Sequence, residues 1–325
     1  MQLGLFLKLF RTYSLEDALA HVAKQGIQTV EIATGGFVGA HHINPKEVLG
    51  NSEEIARIQD TLRRHGLTIS ALSCHGNPLH PNPEIAEAHH EDFVNSILLA
   101  KELGVDTVVN FSGCPGESET SQRSVWITCP WPTEFLDTLT WQWEQKVIPY
   151  WQEMGSFARE QGVRIAIEPH PGFVVYNTET ALRLCEAAGE GVGINFDPSH
   201  LFWQGMDPVE CILHLGKLIY HFHAKDTAIH HRYNRLNGVL DTKPYKELAE
   251  RSWAFRTVGY GNGPETWKAI ISALRMTGYA GAISIEHEDG LMSLDEGFGK
   301  AVHFLQEVLI TEPPGVMPGT RSVGS

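Results

Sequence analysis

Residues 165–170 read IAIEPH, residues 195–200 read NFDPSH, and residues 220–226 read YHFHAKD. Each stretch is a short run of mostly apolar residues that ends in acidic or histidine side chains. A fourth stretch of the same kind, SIEHED, occupies residues 284–289. Short apolar runs of this type are typical of buried strands in a parallel sheet. The four stretches therefore predict four strands whose carboxyl ends carry polar side chains.

Side chains alternate between the two faces of a strand, so each polar residue can be assigned to a face. In the first stretch Ile165 and Ile167 share one face, which leaves Ala166 and Glu168 on the other. The isoleucines are expected to pack against helices, so Glu168 is expected to point inward. The same alternation predicts the inward residues of the other three strands: Gly193, Asn195 and Asp197; Ile219, His221 and His223; Ala282, Ser284 and Glu286.

The rest of the chain predicts a regular alternation of strands and helices. Short apolar runs are followed by helical patterns, several of which end at a glycine. The predicted strands cover residues 2–7, 27–32, 67–73, 105–111, 163–168, 192–197, 218–223 and 281–286. Eight strand–helix units in a chain of 325 residues are typical of a (β/α)8 barrel.

We therefore predict the α/β class and a single (β/α)8 TIM-barrel domain over residues 1–310. Residues 311–325 are rich in Pro, Gly and Ser and predict a flexible C-terminal tail. An open, doubly wound sheet is the alternative, but no GxGxxG motif follows the first predicted strand. Two long segments, 112–132 and 224–262, predict excursions from the barrel.

The inward-facing acidic and histidine residues are expected to meet at one end of this barrel. In a TIM barrel the carboxyl ends of the strands form the active-site face. Carboxylates combined with imidazole suit a divalent metal used as a Lewis acid. A single Glu after a strand is usually solvated, and a lone His is more often packed in a core. Four strands in phase, with such residues at the same depth, favour a metal-assisted active site.

The composition argues against several classes of partner. The chain has 39 acidic and 25 basic residues, a formal net charge of -14. Such a surface repels nucleic acid and anionic membranes, so we expect neither as a partner. No apolar run approaches the ~20 residues needed to span a bilayer. The N-terminal residues MQLGLFLKLFRTYS lack the features of a signal peptide.

The cysteines predict a reducing environment. There are five of them, an odd number, and no CxxC motif occurs: Cys74, Cys114, Cys129, Cys185 and Cys211. A disulfide framework is therefore not expected, and buried thiols in a cytoplasmic protein are the simplest interpretation.

The four motifs resemble those of the xylose-isomerase-like barrel superfamily, in particular its sugar (phosphate) isomerase/epimerase branch, over nearly the whole chain. The Glu of IAIEPH, the Asp and His of NFDPSH, the His of HFHAKD and the Glu of SIEHED carry the resemblance. It implies one bound divalent ion, Mn²⁺ first, with Mg²⁺, Co²⁺ or Zn²⁺ as alternatives. The implied metal ligands are Glu168, Asp197, His223 and Glu286.

The resemblance also implies an enzyme of carbohydrate metabolism, a divalent-metal-dependent sugar isomerase/epimerase. A metal that chelates the sugar's carbonyl and adjacent hydroxyl makes the neighbouring C–H acidic enough for a carboxylate or imidazole to remove its proton. Returning the proton to the metal-bound cis-enediolate gives an epimer or an isomer. Glu168 and Glu286 are the implied proton carriers, and His200 the implied contact to substrate oxygens.

The chain departs from the epimerases at two places. The epimerases carry a second Glu where this chain has Val174 and Val175, and an Arg soon after the metal His, where the nearest here is Arg232. Instead, His170 follows Glu168 with one residue between them. This pair resembles that of metal-dependent lyases in the superfamily, in which the His is a catalytic base. The alternative function is a lyase on 3-keto-glycosides, similar to C-glycoside deglycosidases, or a keto-inositol dehydratase.

Several residues near the strand ends are candidates for substrate binding. His75 ends the third strand, and Lys225, two residues after His223, can hold a ketone or phosphate oxygen or form an ion pair. Trp203 can stack on the C–H face of a sugar. With His200 and Arg232 these residues complete the predicted set for a small sugar or keto-sugar substrate.

Three expectations stay open at this level. Glu31 ends the second strand and either faces the pocket or makes a structural hydrogen bond. The glycine-rich loop 259–263 precedes a helix and can cradle a phosphate. Homo-oligomers are common among relatives, and the excursions at 112–132 and 224–262 are the expected contact surfaces.

A DNA-repair endonuclease of the same superfamily is disfavoured by the acidic composition.

Overall fold

The structure, a computed structural model, describes residues 1–313 and residue 315. Ten strands occur in it: β1 (Gln2–Phe6), β2 (Thr29–Ala33), β3 (Thr68–Ser73), β4 (Thr107–Phe111), β5 (Arg164–Glu168), β6 (Val192–Phe196), β7 (Ile219–Ala224), β8 (Asp226–Ile229), β9 (Trp253–Arg256) and β10 (Ala282–Ile285). Eight of them close a parallel barrel in the order β1, β10, β7, β6, β5, β4, β3, β2. The predicted (β/α)8 barrel is confirmed.

Helices cover the outside of the barrel. They are α1 (Leu15–Ala23), α2 (Pro45–Val48), α3 (Ser52–Arg64), α4 (Pro83–Leu103), α5 (Glu134–Trp141), α6 (Ile148–Glu160), α7 (Thr178–Ala188), α8 (Pro198–Gln204), α9 (Pro208–Leu215), α10 (His231–Asn237), α11 (Pro264–Met276) and α12 (Leu294–Val308). A π-helical segment, Gln142–Val147, joins α5 to α6. Local sequence sets the ends: the Ser14 side chain accepts a hydrogen bond at the start of α1, and Gly104 ends α4 in the left-handed conformation.

Two hydrophobic layers confirm the predicted faces of β5. Ile165 and Ile167 belong to the large core that joins the barrel to its helices. Ala166 packs in a separate small cluster with Ala71 and Val109, inside the barrel. Glu168, two residues after Ala166, therefore points to the interior at the carboxyl end of the strand.

The alternation predicted for β7 is wrong at Ile219, because the strand contains a bulge. Ile194 pairs with Ile219, but the next residue, Asn195, pairs with His221, so Tyr220 is the extra residue. Ile219 consequently joins the outer core, and Tyr220 packs on the inner cluster. The bulge restores the predicted inward direction from His221 onward.

The excursion after β7 contains secondary structure that the sequence pattern did not predict. β8 and β9 form an antiparallel hairpin outside the barrel, with Asp226 paired to Arg256 and Ile229 to Trp253. Along the chain, the helix α10 and the segment 238–252 connect β8 to β9. The hairpin begins directly after the inward residues of β7 and so lies beside the carboxyl end of the barrel.

Other expectations are met in part. All five cysteines are free, and four are buried, but Cys129 is exposed on the excursion at 112–132. Among the described residues, no helix is both long enough and apolar enough to cross a membrane. The flexible tail predicted for residues 311–325 falls mainly outside the described residues, so it stays a prediction.

Candidate active site

The barrel brings together the four residues predicted as metal ligands. One side-chain oxygen or nitrogen each from Glu168, Asp197, His223 and Glu286 lies within 4.8 Å of all the others, and all four residues are buried. They come from the carboxyl ends of β5, β6, β7 and β10, which are consecutive in the barrel. We call this group the carboxylate cluster.

His223 is oriented by a carboxylate behind it. Its Nε2 lies 2.8 and 2.9 Å from the two carboxylate oxygens of Glu31, and its Nδ1 lies 3.2 Å from both Glu168 and Glu286. Ser284 donates a hydrogen bond to Glu31 at 2.8 Å, and Ser73 donates another. Because Glu31 accepts from Nε2–H, the Nδ1 lone pair is directed at the cluster, the usual arrangement behind a metal-binding imidazole.

Glu168 is surrounded by hydrogen-bond donors. His75 Nε2 lies 3.0 Å from its Oε2, and the Asn195 amide donates to the same oxygen at 2.8 Å. His200 Nε2 lies 3.3 Å from its Oε1 and 3.2 Å from Asp197 Oδ2. The structure thus places His75 and His200 directly against the cluster, and their contact with a substrate stays a prediction.

Two lysines neutralise part of the charge on Glu286. Lys225 Nζ lies 3.2 Å from Glu286, 3.5 Å from Asp197 and 3.0 Å from Glu288. Lys8 Nζ lies 3.1 Å from the other oxygen of Glu286. Lys225 is only 3% exposed, so its ammonium group is held by these carboxylates. The ion pair that the sequence left open for Lys225 is present, and its partners are the buried carboxylates of the cluster together with Glu288.

The pKa values reflect these contacts. Burial raises the pKa of Glu168, but the charge of His75 and hydrogen bonds from His200 and His223 outweigh it and hold that pKa well below its ordinary value. Burial lowers the pKa of His223, but the Glu31 charge and the bonds to Glu168 and Glu286 raise it well above its ordinary value. The site therefore favours positive charge at its centre.

The cluster fits a divalent cation. Carboxylate oxygens and an imidazole nitrogen are suitable donors for Mn²⁺, Mg²⁺, Co²⁺ or Zn²⁺. Asp197 Oδ2 is buried and receives no well-aligned hydrogen bond from the described residues, although His200 Nε2 lies 3.2 Å and Lys225 Nζ 3.5 Å away, so a lone pair of this oxygen remains available to a metal. Four carboxylates, from Glu168, Asp197, Glu286 and Glu288, converge here, and a bound cation would take the place of the proton that they favour on His223.

His170 stands at the edge of the cluster and borders open space. Its Nδ1 lies 2.7 Å from the carbonyl oxygen of Pro171, which can only accept, so Nδ1 carries the proton and Nε2 the lone pair. Its ring centroid is 4.0 Å from that of His200. Burial and the charge of His200 lower the pKa of His170 well below its ordinary value, which keeps the ring neutral.

Two cavities meet at His170. One, of about 530 Å³, is lined by His170, Tyr245, Lys246, Leu248, Arg251, Ala254, Phe255, Glu288 and Gly290. The other, of about 230 Å³, is lined by Trp126, His170, Pro171, Gly172, His200, Trp203, Leu240, Asp241, Thr242, Tyr245 and Trp253. We call them the polar chamber and the aromatic chamber. Trp203, predicted to bind substrate, is a wall of the aromatic chamber.

The structure does not bring Arg232 to the cluster. Residues 231–237 form the surface helix α10, on which Arg232 is exposed and lines an outer groove with His230 and Tyr233. Substrate contact by Arg232 is therefore not supported. The nearby Arg251 lines the polar chamber, although sequence spacing gave no sign of it because it lies 28 residues after His223.

The glycine-rich loop 259–263 does not offer a free phosphate site. Asp226 Oδ2 accepts hydrogen bonds from the backbone N–H groups of Gly259, Gly261 and Asn262 at 2.9–3.1 Å. The Trp267 indole donates to the same oxygen at 3.2 Å. The loop does bind an anion, as its composition suggested, but the anion is the protein's own carboxylate.

Lys8 and Glu288 were missed as neighbours of the cluster. Lys8 lies two residues after the end of β1, and this position at the carboxyl end of a strand was the one sequence feature that could have predicted its place beside the cluster. Glu288 lies inside the SIEHED motif, but its approach to Lys225 depends on the chain turning after β10. Neither contact can be read from one strand taken alone.

The chain belongs to the xylose isomerase-like TIM barrel family, whose model matches residues 19–308. It is 39% identical over 297 residues to the uncharacterized protein YfiH of Bacillus subtilis, covering 90% of this chain and 95% of that protein. It is 26% identical over 270 residues to an inosose dehydratase of Geobacillus thermodenitrificans, covering 79% and 80% of the two chains.

Solved structures share the barrel at lower identity. The probable 3-DHS dehydratase AsbF of Bacillus anthracis aligns with a TM-score of 0.66 and 18% identity, covering 94% of this chain and 99% of AsbF. An L-ribulose 3-epimerase gives 0.59 and 18%, covering 93% and 86%. The IolI protein with a bound zinc atom gives 0.63 and 19%, covering 95% and 98%. These three structures show that the barrel fold is shared.

Proposed function

We propose that this protein is a divalent-metal-dependent enzyme that removes a proton next to the carbonyl of a keto-sugar or keto-cyclitol and then eliminates a leaving group. The observation that carries the proposal is the convergence of Glu168, Asp197, His223 and Glu286 beside the unprotonated Nε2 of His170. The inosose dehydratase relative and the zinc-bound IolI neighbour support it.

The four cluster residues would hold the metal, Mn²⁺ being the first candidate. When bound, the metal supplies Lewis-acid polarisation of the substrate carbonyl. The rest of the work falls to side chains. Glu31 fixes the direction of the His223 ring, and the two lysines keep Glu286 ionised.

His170 would move the proton. Its Nε2 takes the proton from the carbon next to the carbonyl, and the C–H electron pair enters the carbonyl system. That electron pair then forms a C=C bond as the bond between the neighbouring carbon and its oxygen substituent breaks. His170 returns the proton to the departing oxygen, so water or an alcohol is released and the side chain regains its initial state.

Elimination is favoured over epimerisation because the arrangement has one free base. Epimerisation at one carbon needs proton carriers on both faces of the substrate, and the obvious second carrier is Glu286. Lys225 and Lys8 both pair with that carboxylate. Lys8 donates to one oxygen of Glu286 at 3.1 Å and Lys225 to the other at 3.2 Å, so ammonium groups occupy both oxygens of this carboxylate.

The second candidate is the sugar isomerase/epimerase. The paired carboxylates Glu168 and Glu286, both within 3.2 Å of His223 Nδ1, favour it because they are the proton carriers that such a reaction uses.

A cytoplasmic location and a homo-oligomer stay predictions under either function.

The test is proton exchange in D₂O. The Mn²⁺-loaded protein is incubated with a ketohexose, an inosose and 3-keto-glucose, and products are followed by NMR and mass spectrometry. We expect deuterium incorporation or loss of water with at least one compound, and loss of the activity by about 100-fold or more in His170→Asn. The control is His303→Asn, on the exposed face of α12.

The result separates the candidates. Deuterium at the exchanged carbon of an epimerised sugar, with His170→Asn still active, would favour the epimerase. No exchange and no elimination with any of these compounds would refute proton abstraction from a free keto-sugar or keto-cyclitol.

A further inference from the structure

A second group of potential metal ligands lies next to the carboxylate cluster. One side-chain oxygen or nitrogen each from Glu168, His170 and His200 lies within 4.8 Å of the other two, and only Glu168 is shared with the carboxylate cluster. We call this group the histidine site. Its chemistry differs from that of the cluster, because two of its three donors are imidazoles.

The two oxygens of Glu168 have different surroundings. Oε2 accepts a hydrogen bond from the Asn195 amide at 2.8 Å, and it lies 3.0 Å from His75 Nε2 and 3.2 Å from His223 Nδ1. Oε1 receives no well-aligned hydrogen bond from the described residues, and His200 Nε2 lies 3.3 Å from it. The carboxylate therefore presents one oxygen to His223 and the other to the histidine site.

His200 is buried without a hydrogen-bond partner for its Nε2. The residue is only 1% exposed, and this nitrogen forms no well-aligned hydrogen bond with the described residues, although Glu168 Oε1 lies 3.3 Å and Asp197 Oδ2 3.2 Å away. Two donors on one tetrahedral zinc ion are about 3.3 Å apart, because each bond to the metal is about 2.0–2.2 Å long. The His200 and Glu168 atoms therefore have the separation of two ligands of one ion.

His170 completes the group. Its Nδ1–H donates to the Pro171 carbonyl oxygen at 2.7 Å, which leaves the Nε2 lone pair free, and its ring centroid lies 4.0 Å from that of His200. A backbone carbonyl that fixes the tautomer in this way is the usual support of a metal-binding imidazole. His170 also lines both chambers, so an ion can approach this nitrogen through them.

We propose that Glu168, His170 and His200 form a second cation site, which is selective for Zn²⁺ over Mn²⁺. Two imidazoles and one carboxylate are a typical donor set for zinc, whereas the three carboxylates and one imidazole of the cluster also suit Mn²⁺ and Mg²⁺. Glu168 would bridge the two ions, one on each of its oxygens.

Zinc at the histidine site would regulate the enzyme. This consequence rests on the proposed function, in which Nε2 of His170 takes the substrate proton. A zinc ion bound to that nitrogen uses the same lone pair, so zinc binding and proton abstraction exclude each other. The second zinc ion is therefore an inhibitor.

The test counts bound ions. The full chain is freed of metal with EDTA and dialysed against Zn²⁺ or Mn²⁺, and the metal per chain is measured by mass spectrometry. We expect about two Zn²⁺ ions but about one Mn²⁺ ion per chain, and about one Zn²⁺ ion in His170→Asn and in His200→Asn. The control His303→Asn, 79% exposed on α12, should keep both zinc ions. Asp197→Asn should keep one, which adding His170→Asn removes.

These counts separate failure of this inference from failure of the proposed function. A single Zn²⁺ ion per unsubstituted chain, equal counts for Zn²⁺ and Mn²⁺, or both zinc ions kept in the two histidine variants would overturn the histidine site and leave the elimination reaction standing. If no keto compound reacts, loss of one zinc ion in the histidine variants still supports the site. Circular dichroism checks that the variants fold, and where they do not, the counts for the unsubstituted chain decide.

The regulatory consequence has its own measurement. On a keto compound that reacts, binding of the second zinc ion should slow proton exchange by about 100-fold or more, the usual contribution of a general base. A rate that stays the same while the second ion binds would overturn the inhibitory role.

Discussion

Glu31 contributes to the site without facing the cavities. Its two oxygens receive His223 Nε2, Ser284 and Ser73, and it is fully buried. Burial raises the pKa of Glu31, but the charges of His223 and His221 lower it to about 2, so the carboxylate is ionised. At the scale of single residues, one carboxylate behind the imidazole decides which nitrogen points at the cluster.

Glu31→Gln should weaken metal binding by about 10–100-fold, because the amide no longer attracts the His223 Nε2 proton as strongly. The dissociation constant for Mn²⁺ is measured by competition with a fluorescent chelator. Glu53→Gln, an exposed substitution on α3, is the control. An unchanged constant in Glu31→Gln would show that the orientation of His223 does not depend on this carboxylate.

Hairpin β8–β9 depends on the buried carboxylate of Asp226. Three backbone N–H groups and an indole N–H converge on its Oδ2, and the Asn262 amide donates to its Oδ1 at 2.7 Å. Gly261 has no room for a side chain, because a Cβ there would lie 2.4 Å from the Thr227 carbonyl oxygen. At the scale of elements, this contact ties the hairpin to the start of α11.

Asp226→Asn should lower the free energy of unfolding by about 3 kcal/mol, because the amide loses the charge and turns an NH₂ group toward N–H donors. Urea denaturation followed by circular dichroism measures the change. The same substitution at Asp137, which is exposed on α5, should change stability by only about 0.5 kcal/mol or less. Equal stability of the two variants would contradict the role of Asp226.

The bulge in β7 depends on the absence of a side chain at Gly193. A Cβ at this position would come within 2.5 Å of the Tyr220 ring and 2.6 Å of the Leu218 carbonyl oxygen. Gly193→Ala should therefore destabilise the protein by about 1–3 kcal/mol. Gly299→Ala, in α12, meets no atom within 4 Å and should be neutral or stabilising. Thermal unfolding should show a lower melting temperature for Gly193→Ala and an unchanged or higher melting temperature for Gly299→Ala.

At the scale of the whole molecule, the candidate ligands join four consecutive strands of the closed barrel. A bound ion would therefore stabilise the folded state as a whole, by about 2.7 kcal/mol at a free concentration 100 times its dissociation constant. We expect Mn²⁺ to raise the melting temperature and EDTA to reverse the rise. The rise should be absent in Asp197→Asn and kept in Asp295→Asn, which is 75% exposed. An equal rise in both variants would place the ion elsewhere.

The barrel and the cluster could be predicted because both follow from local alternation along single strands. Ile165 and Ile167 mark the outer face of β5 and so fix the direction of Glu168. The bulge at Tyr220 could not be predicted, because it depends on Gly193 in the neighbouring strand. The hairpin was missed for a similar reason, since each of its strands has four residues and its partner lies about 25 residues away.

The hairpin also has a consequence for how specificity can change. Residues 230–252 leave and re-enter the fold through two paired strands, so their ends are held at a fixed separation whatever lies between them. They supply Leu240, Tyr245 and Arg251 to the two chambers but none of the four cluster residues. We therefore expect that replacing this segment by that of a related barrel would change the walls of the two chambers and leave the carboxylate cluster in place.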